Sequence, residues 1–182
     1  MLLKGCLHTH TTCSDGKLTP QEVASAYEAK GYDFVAFTDH DYLLKPNYRE
    51  LYDQVRTDMI IFHGIEITAF VRGYVHVNRI EGDSETLHIF NHIGEYDMTP
   101  EQVRERLAEL EKMYRLDAVE ITTKGFRDTL FESLNIRYPK IASDDSHTMV
   151  GIGRAWIELD AKRDKDSILR AIRQGTFWNC YV

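Results

Sequence analysis

The chain has 182 residues, 43% of them hydrophobic, which is enough to bury one substantial core and short for two, so one domain over residues 1–182 is expected. A formal net charge of -7 argues against a stable nucleic-acid complex, because phosphate backbones select for an excess of Lys and Arg. No stretch approaches the roughly 18 to 20 apolar residues of a bilayer span and the N-terminus lacks the order of a signal peptide, so the expected location is the cytoplasm, without membrane contact.

Short apolar runs alternate with amphipathic segments, the pattern of repeated βα units around a mostly parallel sheet or barrel. The first run, Leu2 to His8, ends in His8-Thr9-His10. Side chains two apart on a strand face the same way, so both imidazoles aim at one point. Thr19-Pro20-Gln21-Glu22 then opens a helix with an N-cap threonine, proline at the first helical position and an acidic first turn. It runs to about Lys30 and closes at Gly31. The strand Phe34 to Thr38 ends in Thr38-Asp39-His40-Asp41, and the strand Ile60 to Thr68 carries Glu66. With Glu66 pointing inward, Gly64 and Thr68 share its face while His63 points the other way. Arg72-Gly73 marks a hairpin into the strand Tyr74 to Ile80, which holds His76.

The run Leu87 to His92 ends in Asn91-His92 and leaves His88 at its opposite end. A second Thr-Pro start, Thr99-Pro100-Glu101-Gln102, opens a helix to about Tyr114. Strands follow at Ala118 to Thr122, Lys140 to Ser143 and Ala155 to Leu159, with Asp145 and His147 just beyond the second of these and a helix from Lys165 to Gln174 after the third. The three cysteines, Cys6, Cys13 and Cys180, show no CxxC spacing and read as free thiols. Cys13 stands between His10 and Asp15, where it could oxidise or coordinate adventitiously.

One histidine at a strand end says little, but here several strand ends carry a histidine or a carboxylate. In a barrel the C-terminal strand ends converge. The convergent set is His8, His10, His40, Glu66, His92, Asp145 and His147, which the family resemblance below extends to Asp15 and His76. Imidazole and carboxylate without thiolate suit zinc, manganese or iron, so two or three divalent metal ions are the expected cofactor. Such ions would place positive charge at one point, which keeps an anionic substrate compatible with an acidic chain.

Four segments together resemble the PHP (polymerase and histidinol phosphatase) family of metal-dependent phosphoesterases: His8-Thr9-His10 through Ser14-Asp15-Gly16, Phe37-Thr38-Asp39-His40-Asp41, Asn91-His92, and Ser143-Asp144-Asp145-Ser146-His147. Gly64-Ile65-Glu66 and Val75-His76-Val77 extend the resemblance over nearly the whole chain. It implies an α/β fold, a distorted, compact (β/α)7 barrel of TIM-like form. It also implies three ions: one on His8, His10, Glu66 and Asp145, one on Asp15, His40 and His147, and one on Glu66, His76 and His92, with Glu66 bridging. Asp39, Asp41 and Asp144 would flank or orient ligands. Asp15 stands where several family phosphatases carry His, and few residues separate His76 from Leu87, so substrate identity does not transfer.

The expected activity is hydrolysis of a small-molecule or nucleotide phosphoester by a metal-activated hydroxide, with Glu66, Asp145 and His147 as catalytic residues. Arg72, Lys124, Arg127 and Arg154 flank strand ends and are the expected phosphate contacts. An amidohydrolase and a non-catalytic metal-binding module are the alternatives. A polymerase-associated proofreading role is disfavoured, because no polymerase segment is present in the sequence.

Overall fold

The computed structural model describes residues 1–182. In chain order the strands are β1 (Leu2–Cys6), β2 (Phe34–Phe37), β3 (Ile60–Phe70), β4 (Tyr74–Glu81), β5 (Thr86–Phe90), β6 (Ala118–Glu120), β7 (Thr122–Thr123), β8 (Phe126–Arg127), β9 (Lys140–Ile141), β10 (Ala155–Asp160) and β11 (Phe177–Tyr181). The helices are α1 (Pro20–Glu28), α2 (Tyr48–Asp53), α3 (Pro100–Leu110), α4 (Thr129–Ser133) and α5 (Lys165–Arg173). Both Thr-Pro starts form as read. Thr19 with Glu22, and Thr99 with Gln102, make capping boxes that satisfy the first free N–H groups of α1 and α3.

Nine strands form one sheet in the order β11-β10-β1-β2-β3-β4-β5-β6-β9, and β7-β8 is a separate hairpin. β4 runs antiparallel to β3 and β5, and β10 runs antiparallel to β1 and β11, while the other neighbours pair in parallel. Seven strands therefore point one way: β1, β2, β3, β5, β6, β9 and β11. This is the seven-stranded barrel with β4 and β10 as antiparallel insertions. The sequence reading missed β11, a five-residue strand at the chain end, and with it the reversed direction of β10.

The sheet nearly closes on itself. Between β9 and β11 the Asn179 side chain bridges the seam: its Nδ2 donates to the Lys140 carbonyl and its Oδ1 accepts from the Ala142 N–H, both at 2.8 Å. A side-chain amide thus replaces the missing backbone ladder.

Side chains from eight strands, among them Leu3, Phe34, Phe62, Ile80, Ile89 and Ile157, meet in one buried cluster, which puts it inside the barrel. Ile168, Leu169 and Ile172 of α5 join that cluster. Outside, α1 and α2 cover β1 and β2, with Val23, Tyr27 and Tyr52 against Val35 and Phe37. In turn, α3 and α4 cover β5 and β6, with Val103, Leu107 and Phe131 grouped with Phe90 and Val119. Burial of these apolar faces is the main stabilising term, at about 25 cal/mol per Å². Because Phe62 packs inside, the period of two places Gly64 and Glu66 inside as well.

Candidate metal centre

Hydrogen bonds between distant loops assemble the site. Asp145 N–H donates to the His8 carbonyl at 3.1 Å, His10 N–H to the Ser146 carbonyl at 2.9 Å and Lys17 N–H to the His147 carbonyl at 2.8 Å, so the first and last motifs are stitched together. Gly16 packs against the His10 backbone, and a Cβ there would lie 2.6 Å from the His10 carbonyl carbon, so no larger residue fits without moving the loop. Asp39 holds the same loop by accepting from the Thr11 N–H at 2.8 Å, the Thr11 hydroxyl at 2.7 Å, and the Ser14 and Tyr52 hydroxyls.

Glu66 is the centre of the cluster. Its carboxylate lies 3.0 to 3.3 Å from ring nitrogens of His8, His10, His40, His76 and His92, and Oε1 also accepts from the Asn91 amide at 2.8 Å. Asp145 Oδ1 is 3.4 Å from His8 Nε2 and 3.3 Å from His10 Nε2, and those two nitrogens are 3.1 Å apart. Asp15 Oδ2 is 3.4 Å from His147 Nε2 and 3.8 Å from His40 Nε2. His76 Nδ1 and His92 Nε2 are 3.4 Å apart, each close to Glu66 Oε1. Metal–donor bonds of about 2.0 to 2.1 Å at tetrahedral angles put neighbouring donors about 3.4 Å apart. The observed separations suit shared cations.

The nine expected residues thus come together. His8-His10-Glu66 is one compact group, and His10 joins Asp15, His40 and His147 in another, with all donor atoms in each group within 4.8 Å of one another. Two further groups, His8-His92-Asp145 and His40-Glu66-His76, show that terminal ligands could be shared otherwise than the three-ion partition has them. These His/Asp/Glu clusters are able to bind metal.

The electrostatics point the same way. Burial works to lower the His8 pKa, yet the Glu120, Glu66 and Asp145 carboxylates together hold it well above the usual histidine range. Burial likewise works against the His10 proton and is outweighed by bonding to Asp145, Asp15 and Glu66. Burial raises the Asp145 pKa but facing His8 and His10 outweigh it, leaving it at about 2. His40 and His147 are lowered, chiefly by burial, the latter also by neighbouring His10. The buried carboxylates thus favour positive charge at His8 and His10, the positions where metal coordination would supply it instead. His10 Nδ1, His40 Nδ1, Glu66 Oε2 and His92 Nδ1 are buried with charged partners nearby but make no well-aligned hydrogen bond. Dications would give these donor atoms directed partners.

Asp39, Asp41 and Asp144 flank ligand residues and hold the backbone and hydroxyl groups of their loops. None orients an imidazole. Asp41 accepts from the Thr68 N–H and hydroxyl, tying the β2 end to β3. Asp144 accepts from the backbone N–H groups of Gly153, Arg154 and Ala155 at 2.6 to 2.8 Å and from the Tyr27 hydroxyl at 2.8 Å.

The carboxylate that does orient an imidazole is Glu120, which sequence reasoning missed. It is fully buried at the end of β6, and its Oε2 pairs with His8 Nδ1 at 2.9 Å and accepts the His92 N–H at 3.1 Å. The first contact keeps a proton on His8 Nδ1 and turns Nε2 toward Glu66. The second pins a strained residue, since His92 has φ +28°. A lone Glu in the apolar run Ala118-Val119-Glu120-Ile121 was the available signal, because a buried carboxylate requires a partner.

A cavity of about 250 Å³ opens on the donors and is lined by Asp15, His40, Glu66, His76, His92, Asp145 and His147 together with Glu95, Tyr96 and Lys124. Lys124 is its single cation, 3.6 Å from Glu95. Arg154 lines an adjoining cavity. Arg72 pairs with Glu105 and Arg127 with Glu132, and neither lines these cavities, so the structure does not bring them to the site. His63 faces Asp53 and His88 packs near Tyr114, both outside the donor groups, as strand parity and position anticipate. Cys13 is buried in the outer cluster with Val23 and Phe37 rather than among the donors.

The PHP domain model matches residues 7–134, 70% of the chain. The chain belongs to the PHP domain family. A PHP-associated model matches residues 134–177, and strands of both segments lie in the same sheet. A 43-residue stretch is 49% identical to the DNA polymerase/3'-5' exonuclease PolX of Bacillus subtilis, covering 24% of this chain and 8% of that protein. Among solved structures, a two-domain protein of Bacteroides vulgatus containing a predicted PHP-like metal-dependent phosphoesterase aligns with TM-score 0.74 and 19% identity, over all of this PHP chain and 65% of its own. An amidohydrolase of Chromobacterium violaceum with bound sulfate and no metal aligns with TM-score 0.66 and 15% identity, covering 96% and 97% of the two chains. PsfC of Pseudomonas syringae gives TM-score 0.68 and 12% identity over 100% and 92%. At these identities the three structures share the fold. No helix of the chain is long and apolar enough to cross a membrane.

Proposed function

We propose that this PHP domain is a metal-dependent phosphoesterase acting on a phosphorylated small molecule or nucleotide at a di- or trinuclear site. The observation that carries the reading is the set of nine donor residues, Glu66 at their centre, spaced for shared cations beside a cavity whose lining includes one lysine. His8, His10, Glu66 and Asp145 would hold one ion, Asp15, His40 and His147 a second, and Glu66, His76 and His92 a third. Bound divalent ions would supply water activation at neutral pH and neutralise charge on phosphoryl and leaving oxygens.

The chain's own groups prepare that chemistry. Glu66 holds five imidazoles around one point, and Glu120 keeps His8 in the tautomer that presents Nε2. Lys124 places an ammonium where a non-bridging phosphoryl oxygen would emerge from the cavity. Asp39 and Asp144 keep the ligand-bearing loops from relaxing when like charges are brought together.

The test is a panel of phosphomonoesters, phosphodiesters and amides assayed with Mn, Zn and Fe. Turnover of a phosphoester and not of amides is the expected result. Amide hydrolysis alone would make the chain an amidohydrolase, a name that one protein of this fold bears. His8→Ala, Glu66→Ala and Asp145→Ala should each lower kcat at least 100-fold, while His63→Ala and His88→Ala retain most of it. Equal losses across all five would contradict the assignment.

A further inference from the structure

Beside the metal cavity lies a second one of about 400 Å³, and the two share a wall made by Asp15, Lys124, Asp145 and His147. Arg154 lines the second cavity alone of the two. It is a fixed group. Its backbone N–H is clamped by Asp144, next in the chain to Asp145. Its Nη1 donates to the Lys124 carbonyl at 3.2 Å, and its guanidinium lies 4.7 Å from the centre of the Phe126 ring. Arg72 and Arg127 are neutralised by glutamates, whereas the guanidinium of Arg154 meets a carbonyl and an aromatic face and keeps its charge for the cavity.

Lys124 is also held in place. It occupies, with Gly125, the two central positions of the β7–β8 hairpin, at φ +51° and +79°. Such a turn favours Asn-Gly, and a lysine in the left-handed region is strained. The residue that accepts this strain puts an ammonium on the wall between the two cavities. Once Asp15 and Asp145 are committed to cations, the lining charges left in the second cavity are Lys124 and Arg154, both positive.

We propose that this second cavity binds a second anionic group of the substrate, a carboxylate or a phosphate, so that the preferred substrate is a phosphoester carrying another negative charge, with Arg154 setting that preference. The inference rests on the phosphoesterase reading. A planar guanidinium matches either oxyanion with two parallel hydrogen bonds, and its contacts with Phe126 and the Lys124 carbonyl hold it in place.

Glycerol 1-phosphate, 3-phosphoglycerate and glycerol 1,3-bisphosphate share a three-carbon skeleton and differ in the second group. With the metal-loaded chain, kcat/KM for one or both of the latter two should exceed that for glycerol 1-phosphate at least 10-fold. Which of the two leads identifies the second group as carboxylate or phosphate. R154M, which keeps an unbranched chain against Phe126, should bring the ratio close to one, and R72M should preserve it. Equal kcat/KM for all three in the unaltered chain overturns the subsite while leaving the phosphoesterase reading in place, and needs no variant to fold. An R154M loss that is the same for all three also overturns it. Failure to hydrolyse any phosphoester overturns both.

Discussion

Glu120→Gln is expected to weaken metal binding about 10- to 100-fold while leaving the fold intact, the usual cost of losing a carboxylate behind a coordinating histidine. Glutamine has the same shape but no charge, so the bond to His8 Nδ1 is weakened and the imidazole is freer to turn its other nitrogen inward. The same carboxylate oxygen accepts the His92 N–H, so the defect reaches two of the three ion positions at once. Glu120→Ala should do more. It strands the buried His8 Nδ1 and the His92 N–H, at about 1–3 kcal/mol for each unsatisfied group, and the melting temperature should fall as well as the affinity. Competition with a chelating indicator measures the affinity, and circular dichroism reports the fold. Affinity within 2-fold of the unaltered chain in Glu120→Gln would remove Glu120 from this role.

The other large effect belongs to Glu66→Gln, which should lose close to two metal equivalents where His92→Gln loses about one. Glu66 stands within 3.3 Å of five imidazoles drawn from all three proposed ion positions, and a bridging carboxylate there offsets the repulsion of two dications. Glutamine keeps the volume and removes that charge. His92 contributes one nitrogen that water can replace. Counting metal on the two variants at the same free-metal concentration is the check, and equal stoichiometry would contradict the bridging role.

The donor positions were legible because the barrel converts strand-end position into convergence. His8, His40 and His92 follow β1, β2 and β5, and Asp145 follows β9, all at the same end of parallel strands. The inward direction assumed for Glu66 agrees with the alternation of its strand, since Phe62, four residues earlier, packs in the interior cluster. What local sequence could not carry was the identity of distant partners. Asp39 and Asp144 sit beside ligands in the chain, yet their carboxylates hold Thr11 and Ser14 in one case and Gly153 to Ala155 in the other. Glu120 is distant in sequence from both residues it supports. Arg72 and Arg127 occupy turn and strand positions as plausible as that of Lys124, yet they pair with Glu105 and Glu132 and line neither cavity. Strand β11 escaped notice because Phe177–Tyr181 is short and alternates weakly, and its place is fixed by pairing with β10 and by the Asn179 bridge.

The central claim is that nine side chains from distant strand ends form one multinuclear metal centre. Elemental analysis of the purified chain after reconstitution with Mn, Zn or Fe and removal of free metal tests it most directly. Between two and three equivalents per chain are predicted, accompanied by a rise in melting temperature, since ions that bind only the folded chain shift the folding equilibrium toward it. One equivalent or fewer, with no change in melting temperature, would contradict the account.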